Sequence, residues 1–202
     1  MMYSRLLAIS LLGFFLHTSS HAAETIVMLR HGEKPEGGLG QLNCQGLNRA
    51  LALPAVLQKK FDKPAAIFAP NPGVQKRDGL QRYNYLRPLA TIEPTAIALN
   101  MPVNTDFGWE DTDQLQAALL APQYQNATVF VAWEHHLLER AARKIMADNG
   151  GDPAQVPVWK SSDFDSLYII TINTNNSTGK PSASFRYDTE GLNQLPTTCP
   201  AH

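Results

Sequence analysis

Short apolar runs alternate with amphipathic stretches along most of the chain. Runs that are apolar on both faces are typical of buried strands in a parallel sheet, and they lie at residues 25–29, 65–69 and 128–133. Apolar residues recur at helical spacing over residues 43–61, 87–100, 112–120 and 137–149. We expect Pro54 to break or restart the first of these helices. Two further runs, 165–172 and 182–187, flank a turn signal at 175–179 and predict a hairpin. Strands that alternate with helices predict an α/β three-layer sandwich with a mainly parallel central sheet and a C-terminal hairpin.

The first 23 residues show a different pattern. Arg5 precedes the nearly unbroken apolar run 6–16, and small residues follow at Ala22 and Ala23. A basic start, a short apolar stretch and a small-residue cleavage site predict a secretory signal peptide. The alternative is a membrane anchor, but the run falls short of the roughly 20 residues that span a bilayer. The sequence therefore predicts a signal peptide at 1–23 and a single domain at 24–202, exported to the periplasm or secreted, without membrane contact after cleavage.

Composition and charge narrow the function classes. The chain is 44% hydrophobic, which excludes a disordered polymer. Its 17 basic and 18 acidic residues give a formal charge of −1. The chain therefore lacks the excess of positive charge that is typical of nucleic-acid-binding proteins. The two cysteines, Cys44 and Cys199, form an even pair in a chain predicted to leave the reducing cytosol. This favours a disulfide over two unpaired thiols.

Chemically reactive residues follow three of the predicted strands. Arg30 and His31 follow the first, the segment 70–87 follows the second, and Glu134 and His135 follow the third. Ligands of open parallel sheets bind at the carboxyl ends of the strands. Arginine suits phosphate or carboxylate, and neutral imidazole is a nucleophile or an acid and base. The sequence lacks Cys/His spacing of the zinc type and a phosphate-cradling Gly-rich loop.

Four ordered segments carry a resemblance to a known family. They are LRHGEKP at 29–35, LNCQGLNRA at 42–50, RPLAT at 87–91 and VFVAWEH at 129–135. In this order they resemble the histidine phosphatase superfamily, which has the phosphoglycerate-mutase-like fold. The resemblance implies a phosphomonoesterase that needs no metal or other cofactor, and the predicted signal peptide makes it an exported one. The predicted loops carry few charged residues and so offer no obvious site for a polyanion, which favours small-molecule phosphoesters or phosphorylated glycans as substrates.

The resemblance also implies roles for individual residues. His31 would attack phosphorus and become a transient phosphohistidine. Arg30, Arg87 and His135 would surround the phosphoryl oxygens, which suits a reaction that depends on positioning and charge stabilisation. Lys34 would add a charge to the substrate phosphate or would simply be solvated.

Two of these assignments have competitors nearby in the sequence. Arg77 and Arg82 lie close to Arg87, so the matching arginine depends on the path of the Pro-rich segment. His136 follows His135, and the pattern of a strand followed by histidine favours His135, with His136 as a neighbour that packs against or lines the pocket.

The proton donor departs from the family pattern. Many members carry a Glu after the Arg-bearing helix, where this chain has NTDFGWE at 104–110, with Asp106 nearest. Another branch places an Asp after the second histidine, where this chain has His136. We rank Glu134 above Asp106 as the general acid, with a solvated surface carboxylate as the alternative for each.

Two other functions compete with the phosphatase. One is a phosphate- or phosphosugar-binding protein without turnover, which the uncertain acid allows. The other is a cofactor-dependent mutase, which export disfavours because the cytosol supplies its bisphosphorylated cofactor.

Overall fold

The computed structural model describes residues 23–175 and 177–200, so the predicted signal peptide lies outside the described residues except for Ala23. The strands are β1 (Glu24–Arg30), β2 (Ala66–Phe68), β3 (Gln75–Asp78), β4 (Gln81–Asn84), β5 (Thr128–Trp133), β6 (Ser166–Thr174) and β7 (Pro181–Thr189). The helices are α1 (Cys44–Lys60), α2 (Arg87–Leu99), α3 (Thr112–Leu119) and α4 (His135–Asp148), with short 3₁₀ turns at Pro122–Tyr124 and Pro153–Gln155. Within the described part of the chain, none of the helices is long and apolar enough to cross a membrane.

Five strands form one central sheet in the order β2-β5-β1-β6-β7. The pairs β2–β5 and β5–β1 are parallel, and β1–β6 and β6–β7 are antiparallel. The sheet is therefore mixed with a parallel core, and the predicted α/β class is confirmed.

Alternate residues of the central strands pack against different helices. Ile26 and Met28 of β1 contact the side that α3 and α4 cover, whereas Val27 and Leu29 contact the side that α1 and α2 cover. These β1 side chains are fully buried, which explains why the strand is apolar on both faces. The result is the predicted three-layer sandwich.

The prediction that Pro54 breaks the first helix is wrong. Helix α1 runs through Pro54 from an N-cap at Asn43, whose side chain accepts a hydrogen bond from the Gly46 N–H. Leu53 and Leu57, on either side of Pro54, are fully buried in the core. A proline inside a helix costs about 3 kcal/mol. Burial of two leucines gains about 1.5–3 kcal/mol each and offsets this cost.

A hairpin of β3 and β4 forms a separate two-stranded sheet that the sequence did not predict. Both strands are short and polar, with the sequences QKRD and QRYN, so they lack the apolar alternation that marks a strand. Gly79 makes the turn with a φ of 60°, in the left-handed region. The hairpin occupies much of the loop between β2 and α2, next to the carboxyl ends of the parallel strands.

The predicted disulfide between Cys44 and Cys199 is confirmed. Asn48 reinforces the same attachment, because its side-chain amide donates to the carbonyls of Pro196 and Thr198 at 2.9 and 2.8 Å. The C-terminal segment is thus held against the start of α1.

Candidate active site

His31 lies immediately after β1, at the carboxyl end of the parallel core. Its backbone N–H donates to the carbonyl of Trp133 at 3.1 Å, which places it beside the end of β5. Its side chain is buried, and Nδ1 lies 2.8 Å from the Gly32 carbonyl. A carbonyl can only accept, so Nδ1 carries the proton and Nε2 keeps its lone pair. The backbone therefore selects the tautomer in which Nε2 keeps its lone pair and Nδ1 carries the proton.

The surroundings of His31 keep its imidazole neutral. Burial lowers the pKa of His31 most, and the positive charges of Arg87 and Arg30 lower it further, to about 3. At neutral pH the ring is therefore unprotonated and available for attack.

Arg30, the last residue of β1, is held by backbone carbonyls rather than by a carboxylate. Its Nη1 donates to the carbonyls of Ser161 and Asp163 at 2.8 and 2.7 Å. Its guanidinium carbon lies 3.7 Å from the centre of the Phe164 ring. Burial lowers the pKa of Arg30 to about 10, so the group still carries its charge at neutral pH.

Arg87 begins α2 and is the buried arginine of the three that the sequence offers. It pairs with Asp78 through Nη1 and through Nη2, the latter at 3.3 Å, and Nη1 also donates to the Gly38 carbonyl at 3.2 Å. Arg77 and Arg82 lie on the exposed hairpin, and Arg82 donates to the Gln75 carbonyl at 2.9 Å. The structure thus places Arg87 beside His31 and keeps the two competitors at the surface.

Thr91 connects α2 to the segment that carries His31. Its Oγ1 donates to the Arg87 carbonyl at 2.8 Å and accepts from the Gly32 N–H at 2.9 Å. A Cβ on Gly32 would lie 3.0 Å from backbone atoms of Gly46 in α1. This separation is tighter than most side-chain contacts, so glycine suits the position, and α1 and α2 both pack against the backbone next to His31.

Glu134 and His135 form a pair at the start of α4. The helix begins at His135, two residues before the predicted start, because Glu134 acts as the N-cap and accepts from the Leu137 N–H at 3.0 Å. Glu134 Oε1 lies 2.7 Å from His135 Nδ1, and His135 Nε2 lies 3.2 Å from Ser161 Oγ. Burial alone would raise the pKa of Glu134, but His135 and the backbone N–H groups of Leu137 and His136 outweigh it and lower the pKa to about 2. Glu134 is therefore ionised in the free protein.

Several polar atoms around His31 are buried without a hydrogen-bond partner in the described structure. They are Nε of Arg30, Nε of Arg87 and the hydroxyl of Tyr85. Buried donors without a partner are rare in native proteins, and each requires an explanation. Three buried donors near one neutral imidazole, two of them on cations, fit an oxyanion that supplies the missing acceptors.

The other sequence candidates lie at the edge of this cluster or outside it. Lys34 is exposed, with Nζ 3.7 Å from Asp78. His136 is exposed, and its ring centre lies 3.9 Å from that of His135. Asp106 is exposed and accepts from the Asn104 side chain at 2.8 Å.

Glu134, His135 and His136 also offer metal ligands. One ligand atom of each lies within 4.8 Å of the others, so these residues could hold a divalent cation. The expectation that the reaction needs no metal stays a prediction.

Sequence reasoning missed two side chains of the cluster, Asp78 and Tyr85. Asp78 lies on the hairpin that the pattern did not predict. Tyr85 precedes Arg87 by two residues. This closeness to a candidate phosphate-binding arginine is the sequence feature that could have identified Tyr85 as part of the cluster.

The fold and this arrangement define a class of protein. Comparison of the sequence with protein-family models and with curated proteins finds no significant match. Structural comparison shows that the chain has the histidine phosphatase fold, also called phosphoglycerate-mutase-like. The resemblance in the sequence is thereby confirmed for the fold.

Three solved structures illustrate this likeness. A SixA protein of Nakamurella multipartitia, assigned as a phosphohistidine phosphatase, matches with a TM-score of 0.53 and 13% identity over 82% of this chain and 95% of its own. A mycobacterial glucosyl-3-phosphoglycerate phosphatase matches with a TM-score of 0.52 and 15% identity, over 83% and 98%. A phosphoglycerate mutase of Plasmodium falciparum matches with a TM-score of 0.51 and 13% identity, over 89% and 98%.

Proposed function

We propose that the protein is an exported phosphomonoesterase that hydrolyses small phosphoesters through a phosphohistidine on His31. The observation that carries this proposal is a neutral His31 imidazole whose Nδ1 is bound to the Gly32 carbonyl, close to two buried arginines whose Nε–H groups have no partner among the described residues. Phosphoryl transfer without a metal requires a nucleophile and groups that stabilise the negative charge of the transition state.

The reaction runs in two displacements. Nε2 of His31 attacks phosphorus, the N–P bond forms, and the bond to the ester oxygen breaks. The two arginines hold the non-bridging oxygens while charge spreads over them. Water then attacks the phosphohistidine, which releases inorganic phosphate and restores the neutral imidazole.

The leaving oxygen needs a proton, and we assign it to Glu134. Its carboxylate is ionised in the free protein, so it must gain a proton when the substrate binds. A phosphate dianion beside it disfavours a second negative charge and raises the pKa of Glu134 in the complex. Asp106 is the alternative donor, but it is exposed and its carboxylate accepts from the Asn104 side chain, which favours Glu134 instead.

The fold neighbours support the substrate class. One of them is a phosphatase of glucosyl-3-phosphoglycerate, a small phosphorylated molecule, and another is assigned as a phosphohistidine phosphatase. We therefore propose small phosphoesters, including phosphorylated glycans. The mutase among the neighbours keeps a mutase reaction as an alternative, which export disfavours.

Export is supported by the disulfide between Cys44 and Cys199. Disulfides persist in oxidising compartments such as the periplasm and the cell exterior. We propose that residues 1–23 direct the chain there and are removed.

A second candidate function is phosphate or phosphosugar binding without turnover. Two observations favour it. Glu134 is ionised in the free protein, and the charge of Arg87 is paired with Asp78. Such a protein would bind inorganic phosphate but would not cleave esters.

Turnover by the purified exported protein distinguishes the two functions. We expect hydrolysis of an aryl phosphate in the presence of a chelator. His31→Asn should reduce it by at least about 1,000-fold, as loss of a catalytic nucleophile does. Asn can still donate to the Gly32 carbonyl, so the local structure should survive. His136→Asn is the matched control and should keep turnover. Phosphate binding by calorimetry without turnover in the wild type would establish the binding protein and refute the phosphatase.

A further inference from the structure

Tyr85 lies inside the cluster around His31 but has no part in the mechanism above. It connects β4 to α2 and is fully buried. Its ring meets the His31 ring edge-on, with 6.0 Å between the centres, and the guanidinium carbon of Arg87 lies 4.9 Å from the Tyr85 ring centre. On a third side, Nζ of Lys76 lies 5.5 Å away. The ring is therefore fixed between the nucleophile and two cations.

The hydroxyl of Tyr85 differs from that of the other fully buried tyrosine. Tyr168 is equally buried, and its hydroxyl donates to the Pro157 carbonyl at 3.1 Å. The Tyr85 hydroxyl can accept from the Arg87 side chain, but its own proton has no acceptor in the described structure. A buried hydroxyl proton without an acceptor costs folding free energy, so its retention calls for a function.

The charges around Tyr85 favour an anion at this hydroxyl. Two positive groups act on it: Arg87, whose side chain can also donate a hydrogen bond to it, and Arg30. Glu134 is a negative group that acts on it. Burial, the largest effect, raises the pKa of Tyr85 above its ordinary value of 10, so the hydroxyl stays protonated and can donate. Nε of Arg30 and Nε of Arg87 are two further buried donors of the cluster that have no partner among the described residues.

We infer that the Tyr85 hydroxyl donates a hydrogen bond to a non-bridging oxygen of the bound phosphoryl group, together with the two arginines. The inference rests on the proposed function, because it extends the same site. It makes Tyr85 a substrate-binding and catalytic residue that acts on the phosphoryl group and not on the leaving group.

Tyr85→Phe tests the inference, with inorganic phosphate as the probe. A lost hydrogen bond to a charged group should weaken phosphate binding, measured by calorimetry, by about 10–100-fold. The value of kcat/KM should fall by a similar factor for aryl and alkyl phosphates alike. Denaturant unfolding without phosphate should show a smaller loss of stability than Tyr168→Phe, because the Tyr85 hydroxyl proton has no acceptor among the described residues.

Tyr168→Phe is the matched control, since it also removes a buried hydroxyl. It should lower stability and leave phosphate binding unchanged. Phosphate binding by Tyr85→Phe within 2-fold of the wild type would overturn the inference. So would a loss confined to alkyl phosphates, which would place the hydroxyl at the leaving group. Absence of turnover in the wild type would refute the proposed phosphatase, while the binding comparison would still decide the role of Tyr85.

Discussion

Replacement of His31 by Asn should make the protein more resistant to acid unfolding. The pKa of His31 is about 3 in the folded protein, against 6.5 as the ordinary value. The depressed pKa means that the unfolded chain binds a proton that the folded chain does not, so stability falls as the pH drops below 6.5 toward 3. At pH 5 this difference costs about 2 kcal/mol, and at pH 7.5 it costs almost nothing. Asn does not titrate, so the variant escapes this cost.

Denaturant unfolding at pH 7.5 and pH 5 measures the effect. The free energy of unfolding of His31→Asn, relative to the wild type, should rise by about 2 kcal/mol between the two pH values. The buffers must lack phosphate, since a ligand that binds the native state adds stability. Any cost of the substitution that does not depend on pH cancels when the two pH values are compared. The contributions of titrating groups that both proteins share cancel when the variant is compared with the wild type. His136→Asn makes the same substitution at an exposed histidine and serves as the control. A relative stability that is independent of pH, or that falls toward pH 5, would refute the buried neutral imidazole.

Three further substitutions test the site and its support. Arg87→Ala should lower kcat for aryl phosphates by about 100- to 1,000-fold, because it removes a donor that stabilises the transition-state charge. Arg82→Ala, at an exposed arginine, should leave kcat unchanged. The reverse result would mean that the wrong arginine is assigned. Glu134→Gln should slow the hydrolysis of alkyl phosphates by about 100-fold or more and that of aryl phosphates much less, because only a poor leaving group needs protonation by a general acid. Asp106→Asn should not show this difference between the two substrates. An equal loss of hydrolysis rate for alkyl and aryl phosphates would mean that Glu134 only positions His135. Arg49→Ala should lower the unfolding free energy by about 3–5 kcal/mol, because Glu33, Asp165 and Glu190 lose their common cation. A loss as small as that of Arg82→Ala would contradict a stabilising role for these buried ion pairs.

The support that Arg49 gives is a structural feature of the site. Arg49 is fully buried and bonds Glu33 at 2.7 Å, Asp165 at 3.2 Å and Glu190 at 2.6 Å. Glu33 is two residues from His31, so these ion pairs connect the segment that carries His31 to α1 and to the chain after β7. Its function is to hold the backbone rather than to contact a substrate.

Much of the central sheet could be predicted from the sequence. The run at 128–133 became β5 with the same bounds, and the run at 25–29 became β1 with one more residue at each end. These strands are buried on both faces, so hydrophobicity alone marks them. Because β1 and β5 are parallel neighbours, the residues that follow them meet, which is why His31 and Glu134 lie at one edge.

The parts that pattern could not predict depend on contacts between distant residues. The hairpin of β3 and β4 is polar and exposed, and Asp78 acquires its role only by pairing with Arg87, which is nine residues away in sequence. The early start of α4 depends on the Glu134 side chain, which caps the helix instead of pointing to solvent. The tautomer of His31 depends on the position of one carbonyl, that of Gly32. None of these features has a period that a sequence window could detect.

Trapping of the covalent intermediate tests the central claim most directly. The purified protein is mixed with an aryl phosphate that carries labelled phosphorus, quenched in alkali during turnover, and digested for peptide mapping. The structure leaves Nε2 of His31 free and commits Nδ1 to the Gly32 carbonyl. We expect acid-labile label on Nε2 of His31 and none in His31→Asn. Turnover without a labelled histidine, or label on His135 instead, would contradict the account.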